Sequence, residues 1–78
     1  MILDGKIILV TGGSGLLGRE IIKNIKAKGG IPVNIDIACS NDLDKGEWKC
    51  DITSDSEIAI CVDTVAKHFG RIDGLVNN

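Results

Sequence analysis

The sequence predicts an α/β fold: a parallel sheet of about four strands in the order 3-2-1-4, carrying two main helices. Two observations carry this expectation. The first is a short unbroken apolar run, Ile7-Ile8-Leu9-Val10, that ends in Thr11 and a cluster of glycines. Such a run is the mark of a strand covered on both faces, as in a parallel sheet. The second is the alternation along the chain, which reads strand, helix, strand, loop, strand, helix, strand with no internal repeat and no linker.

The elements follow in order. After the first strand, Gly12 to Gly18 form a turn. Leu17, Ile21, Ile22 and Ile25 then recur at helical spacing, with Arg19, Glu20, Lys23, Asn24 and Lys26 on the other face. This helix is expected over 16–28, with Gly29-Gly30 stopping it. Pro32 opens a second run through Ile37, since proline is tolerated at the first residue of a strand. Residues 38–46 are polar and read as a loop with room for one helical turn. Trp48, Cys50 and Ile52 alternate with Lys49 and Asp51, so a third short strand is expected over 47–51. Ser54-Asp55-Ser56-Glu57 has the capping-box spacing and precedes a second helix. Its expected buried face is Ile58, Cys61, Val62, Val65 and Phe69, its last turn holds His68, and Gly70 ends it. The fourth strand is expected over 72–76, with Arg71 and Asp73 as a solvated turn pair of little energetic weight.

Length and composition bound the rest. Seventy-eight residues make one domain, 1–78, which buries only about 60 % of the surface of its unfolded chain. Hydrophobic residues are 44 % and charged residues 26 %, the mix of an ordinary globular protein rather than a disordered one. The net charge of −2, with both signs interspersed, offers no basic patch to nucleic acid. No apolar run is long enough to span a bilayer, and Met1 to Lys6 has none of the zones of a signal peptide. The expected location is the cytoplasm, and no membrane or nucleic-acid partner is expected. Cys39, Cys50 and Cys61 form no C-x-x-C pair and His68 is the sole histidine, so reduced thiols are expected rather than zinc ligands.

Chemistry concentrates in the first turn, Val10-Thr11-Gly12-Gly13-Ser14-Gly15-Leu16-Leu17-Gly18. Gly12 allows a sharp exit from the strand, Gly15 lets phosphates approach the backbone, and Gly18 lets the helix pack closely. The helix start presents free N–H groups and partial positive charge, which suit a pyrophosphate. Asp36 ends the second strand, where the dinucleotide fingerprint wants an acid to bond the adenosine ribose. A carboxylate there repels the 2′-phosphate of NADP, and no Lys or Arg stands among Gly13, Ser14, Gly15, Ile37 or Ala38 to offset it. NAD is therefore the expected cofactor in preference to NADP. Asp51 and Ile52 follow the third strand; Asp51 is placed either to bond adenine, with Ile52 against the ring, or to cap the turn into the next helix. Trp48 is expected to be half-buried packing.

Together these segments resemble the short-chain dehydrogenase/reductase family, whose cofactor-binding portion is a Rossmann-type fold. Thr11 to Gly18 is similar to its cofactor turn, Asp36 to the acid of its NAD-selective members, and Cys50-Asp51-Ile52-Thr53 to its adenine-contacting segment. Phe69 to Asn78 is similar to the stretch that ends Asn-Asn-Ala-Gly in the family. The resemblance implies that Gly12, Gly13, Ser14, Gly15, Leu16 and Leu17 line the pyrophosphate. It implies Asp36 and Ile37 at the adenosine ribose, Asp51 and Ile52 at adenine, and Asn78 on the far ribose, with Asn77 helping to fix the sheet. The turn fits T-G-x-x-G-x-x-G rather than T-G-x-x-x-G-x-G, because Leu16 stands where the commoner form has glycine. That spacing is shared with the longer branch holding sugar-nucleotide epimerases and dehydratases, whereas the Asn-Asn ending is shared with the shorter branch. The family's acid/base Tyr-x-x-x-Lys has no counterpart here, since the chain contains no Tyr. The resemblance thus implies a partial Rossmann-type fold, a truncated NAD-binding fragment of an oxidoreductase without activity of its own. The alternatives are a non-catalytic nucleotide-binding or self-associating module, or part of a sugar-nucleotide epimerase or dehydratase.

The fourth strand is expected to be an open edge, with helix faces left uncovered beside it. Self-association through this edge is the expected outcome. Light scattering should show a mass above that of the single chain, and a clean monomer at high concentration would contradict it.

Overall fold

The aliphatic run that opens the chain becomes the central strand β1 (Ile7–Thr11) of a computed structural model that describes residues 1–78. It is followed by α1 (Leu16–Ala27), β2 (Ile31–Asp36), a 3-10 turn (Leu43–Lys45), β3 (Glu47–Lys49), α2 (Asp55–Phe69) and β4 (Gly74–Val76). All ladders are parallel and the sheet order is β3-β2-β1-β4. The register sets Leu9 beside Val33 and Leu75, and Ile35 beside Trp48. Because every strand runs the same way, the four carboxyl ends lie along one side of the sheet.

One sheet face buries Ile7, Leu9, Val33 and Ile35 with Cys50 and with Cys61 and Val65 of α2; Leu43, Trp48, Phe69 and Ile72 pack against this cluster. Val10, Val33 and Val65 are fully buried, and each such side chain contributes on the order of 1.5–3 kcal/mol through removal from water. The other face carries α1, anchored by the buried Ile25. No helix of the chain is long and apolar enough to cross a membrane.

Several element ends differ from expectation. β2 starts one residue before Pro32 and stops at Asp36, leaving Ile37 outside it and exposed. β3 ends at Lys49, although Cys50 N still donates to Asp36 O at 3.2 Å. Leu17 of α1, expected on the buried face, is solvent-exposed. Ile58 and Val62, expected on the buried face of α2, are 37 % and 44 % exposed. They wall an apolar cavity of about 440 Å³ with Leu9, Ile35, Ile52 and Leu75.

The capping box forms by halves. Ser54 Oγ accepts from Glu57 N at 3.3 Å, as the pattern requires. The Glu57 carboxylate, however, accepts from Asp51 N at 3.1 Å. The reason is that Ser54 N already donates to Asp51 O at 3.0 Å and needs no second acceptor. Gly70 closes α2 at φ +80°, donating to Ala66 O at 2.8 Å.

Asp73 does more than pair with Arg71 in solvent. Its Oδ2 accepts from Ile7 N at 2.8 Å, while its own amide donates to Ile7 O at 2.8 Å. The segment before β4 is thereby clipped to the first residue of β1. The hydrogen bond from Arg71, then that from Ile7, holds the Asp73 carboxyl below its ordinary range. A carboxylate with a depressed folded-state pKa stabilises the fold above its unfolded pKa, and this is lost as pH falls through the folded value. The wild-type chain should therefore lose stability more steeply than Asp73→Asn on going from about pH 5 to about pH 3. Urea midpoints measured across that range check it, and parallel curves would refute the clip.

Candidate cofactor site

The turn between β1 and α1 is built by backbone constraints that only glycine meets at two positions. Gly12 adopts φ +64°, the left-handed region that favours glycine. Its amide donates to Ile35 O at 3.0 Å, tying the turn to β2. Its carbonyl accepts from Gly15 N at 3.2 Å and from Asn78 Nδ2 at 3.1 Å. Gly18, in the first turn of α1, lies directly against this loop: a Cβ there would overlap Gly12 O and come within 2.6 Å of Gly13 Cα. The close packing that Gly18 permits is thus onto the turn itself.

Gly15 is different. Its φ of −77° and ψ of 171° are extended backbone open to any residue. A Cβ on it would meet nothing of the protein nearer than Gly12 O at 3.6 Å, an ordinary contact. Neither conformation nor packing demands glycine, so the open space above Gly15 is what the missing side chain preserves.

The α1 start is also left unfilled electrostatically. Gly15 supplies no side-chain cap and no acid occupies the first turn. The amides of Gly13, Leu16, Leu17 and Gly18 have no acceptor within the protein. The start of α2 shows the contrast, with Ser54 as cap and Asp55 and Glu57 in its first turn. Free N–H groups and an uncompensated dipole fit an anion at α1.

Asp36 stands beside this turn. Its Oδ1 accepts from Ala38 N at 2.9 Å and its Oδ2 from Ser14 N at 3.1 Å. The bond from Ala38 is the main cause that lowers the carboxyl pKa, partly opposed by desolvation and aided by Ser14. The group stays anionic and retains lone pairs for further donors. Asp51 caps its own turn, accepting from Thr53 N at 2.9 Å and Thr53 Oγ1 at 2.7 Å. These bonds hold its carboxyl below the usual range. Gly12, Asp36, Ile37, Asp51 and Ile52 line one open cavity of about 280 Å³. The structure thus brings the predicted adenosine residues together, while Leu16 and Leu17 lie outside that cavity on the exposed rim of α1. The 440 Å³ cavity is larger, but its only polar lining residues are Thr11 and Asn77 beside the two thiols, and it holds no charge.

Asn78 sits on the turn, donating its amide to Thr11 Oγ1 at 3.0 Å. Thr11 is a hub the sequence reading left unassigned. Its hydroxyl hydrogen lies between Asn77 Oδ1 at 3.3 Å and Val76 O at 3.4 Å, so it knits β4 to the end of β1. Asn34 was also missed; its Nδ2 donates to Ser14 Oγ at 3.0 Å. A polar residue inside the apolar run of β2 was the available signal. Trp48 is half-buried packing, as read. The three cysteines are free thiols, and no cluster of ligating side chains could hold a metal. Burial pushes the Cys61 thiol up to about 12.

Comparison with known proteins agrees with this geometry. The family model described as short chain dehydrogenase matches residues 6–78. Sorbitol-6-phosphate 2-dehydrogenase of Klebsiella pneumoniae is 34 % identical over 97 % of this chain and 30 % of its own length. Short-chain dehydrogenase reductase 5 of Arabidopsis thaliana is 37 % identical over 97 % of this chain and 33 % of its own. Among solved structures, a C-terminal deletion mutant of Thermoplasma acidophilum aldohexose dehydrogenase superposes with a TM-score of 0.86 at 28 % identity, covering 96 % of this chain and 33 % of that one. A short chain dehydrogenase from Leptospira borgpetersenii with bound NAD+ superposes with a TM-score of 0.77 at 25 % identity, covering 96 % and 31 %. The chain spans about a third of the length of the relatives it matches. The family implies a nicotinamide dinucleotide cofactor, and the uncapped start of α1 and the cavity beside Asp36 fit one. With its glycine turn, its 3-2-1-4 parallel sheet and its Asn-Asn segment, this chain belongs to the short-chain dehydrogenase/reductase family of oxidoreductases.

Proposed function

We propose that these residues bind NAD in preference to NADP and form the cofactor half of an oxidoreductase that interconverts an alcohol and a carbonyl. Gly15 carries the reading: a glycine that the protein itself does not need, at the uncapped start of a helix, reserves room for a ligand's phosphates. The amides of the Gly12–Leu17 turn hold the pyrophosphate. The Asp36 carboxylate accepts from the adenosine ribose hydroxyls, and Ile37 belongs to the same ribose contact. Ile52 packs against adenine and Asp51 accepts from its amino group. Asn78, fixed on Thr11 and Gly12, faces the nicotinamide ribose. The nicotinamide ring, when bound, exchanges hydride with the substrate.

The preference for NAD follows from charge. A 2′-phosphate on the ribose would stand against Asp36, kept anionic by Ala38 and Ser14, with no Lys or Arg on the adjoining turn residues. The NAD+-bound relative from Leptospira borgpetersenii supports the choice. Names among the relatives, such as D-threitol dehydrogenase of Mycolicibacterium smegmatis, support an alcohol as the substrate class of the whole protein. The family match over residues 6–78 favours this reading over a sugar-nucleotide epimerase or dehydratase. The 78 residues hold no tyrosine to act as acid/base on a substrate oxygen, so binding without turnover is expected of them.

Calorimetry with NAD and NADP tests the reading directly: NAD should bind more tightly, and a preference for NADP would overturn it. Asp36→Asn should shrink the NAD:NADP affinity ratio about tenfold or more, as the like-charge repulsion is removed. Two glycine variants separate ligand space from protein packing. Gly15→Ala should stay within about 0.5 kcal/mol of wild-type stability yet lose about tenfold or more in NAD affinity. Gly18→Ala should lose about 2 kcal/mol or more of stability, because its Cβ meets fixed backbone. Equal effects of the two alanines on both readouts would contradict the assignment.

A further inference from the structure

Asn34 is polar, central and unused by the proposed cofactor contacts. It interrupts the apolar run of β2, an inner strand where Asn is disfavoured. Its Oδ1 is enclosed and has no hydrogen-bond partner, which costs free energy. The side-chain amide fills the space under the glycine turn: a Cβ on Gly13 would overlap Asn34 Oδ1 and come within 2.7 Å of Asn34 Cγ and of Ile22 Cδ1. An apolar side chain would fill that space without an orphaned oxygen.

What the amide does provide is one directed hydrogen bond. Asn34 Nδ2 donates to Ser14 Oγ at 3.0 Å. Ser14 N in turn donates to Asp36 Oδ2 at 3.1 Å, so Asn34, through its bond to Ser14 Oγ, holds the residue whose amide grips this carboxylate. Asn34 and Asp36 are two residues apart on one strand and so share a sheet face. Ser14 bridges them from the turn above. A residue that breaks its local environment's rule at a cost is expected where function requires it.

We propose that Asn34 is a specificity-determining positioning residue: acting through Ser14, it fixes where the Asp36 carboxylate stands, and so tunes the preference for a free ribose 2′-hydroxyl over a 2′-phosphate without touching the dinucleotide. This rests on the NAD reading above.

The test uses Asn34→Leu, Ser14→Ala and the double variant, with Asp36→Asn as reference. NAD and NADP affinities are measured by calorimetry, the Asp36 carboxyl titration by carbon NMR, and stability by urea unfolding. Asn34→Leu should unfold at or above the wild-type midpoint while its NAD:NADP ratio falls about three- to tenfold. Ser14→Ala should match that fall, and the double variant should add little, as expected of one chain of contacts. The Asp36 pKa should rise in both single variants, a shift that mere loss of packing would not produce. Ser14→Ala leaves the β2 interior untouched and supplies the same readouts should Asn34→Leu not fold. An unchanged ratio and an unchanged Asp36 titration in the folded variants would overturn the proposal. If Asp36→Asn itself leaves the ratio unchanged, the NAD reading has failed and the specificity role falls with it. If Asp36→Asn collapses the ratio and the other variants do not, only the positioning role has failed.

Discussion

The contact of Gly18 with the backbone of Gly12 and Gly13 is the constraint from which the rest of the site follows. It brings the first turn of α1 against the end of β1 with no side chain between them. Helix and strand are then joined by a turn that leaves the amides of Gly13, Leu16, Leu17 and Gly18 without an acceptor in the protein. Those amides lie beside the carboxyl end of β1, where the helix dipole is left without a counter-charge. A bulkier residue at position 18 would push α1 away and disperse the donors.

Two neighbours stabilise this geometry from either side. β2 grips the turn through the Gly12 amide on Ile35 O and through Asp36 on Ser14. β4 grips it through Thr11 and Asn78. The turn therefore inherits the rigidity of three parallel strands, which is the condition for a preorganised anion site. The same bonds orient Asp36, which is not a free surface carboxylate; it is held by Ala38 on one oxygen and Ser14 on the other.

Local pattern and tertiary outcome parted where a residue's surroundings come from distant chain. Ile58 and Val62 carry the right spacing for a buried helix face, yet burial needs a partner, and they face an open apolar cavity instead. The capping box pattern specified the Ser54 half, because that bond is local to one turn. Its second half went to Asp51, because Ser54 N was already satisfied. Asp73 read as a turn residue from its neighbours, and only its pairing with Ile7, distant in sequence, made it a clip.

By itself the sequence determined the fold class, the strand order and the position of the glycine turn, and it singled out Asp36, Ile37, Asp51 and Ile52, which line one cavity. These depend on apolar periodicity and on glycine spacing, which are short-range properties of the chain. Tertiary structure alone decided which glycine serves packing and which leaves room for a ligand. It also decided that Thr11 and Asn34 belong to the site, and which apolar faces stay open. Each of these is a matter of which atoms stand across a gap of a few ångströms, and strands far apart in the chain supply them.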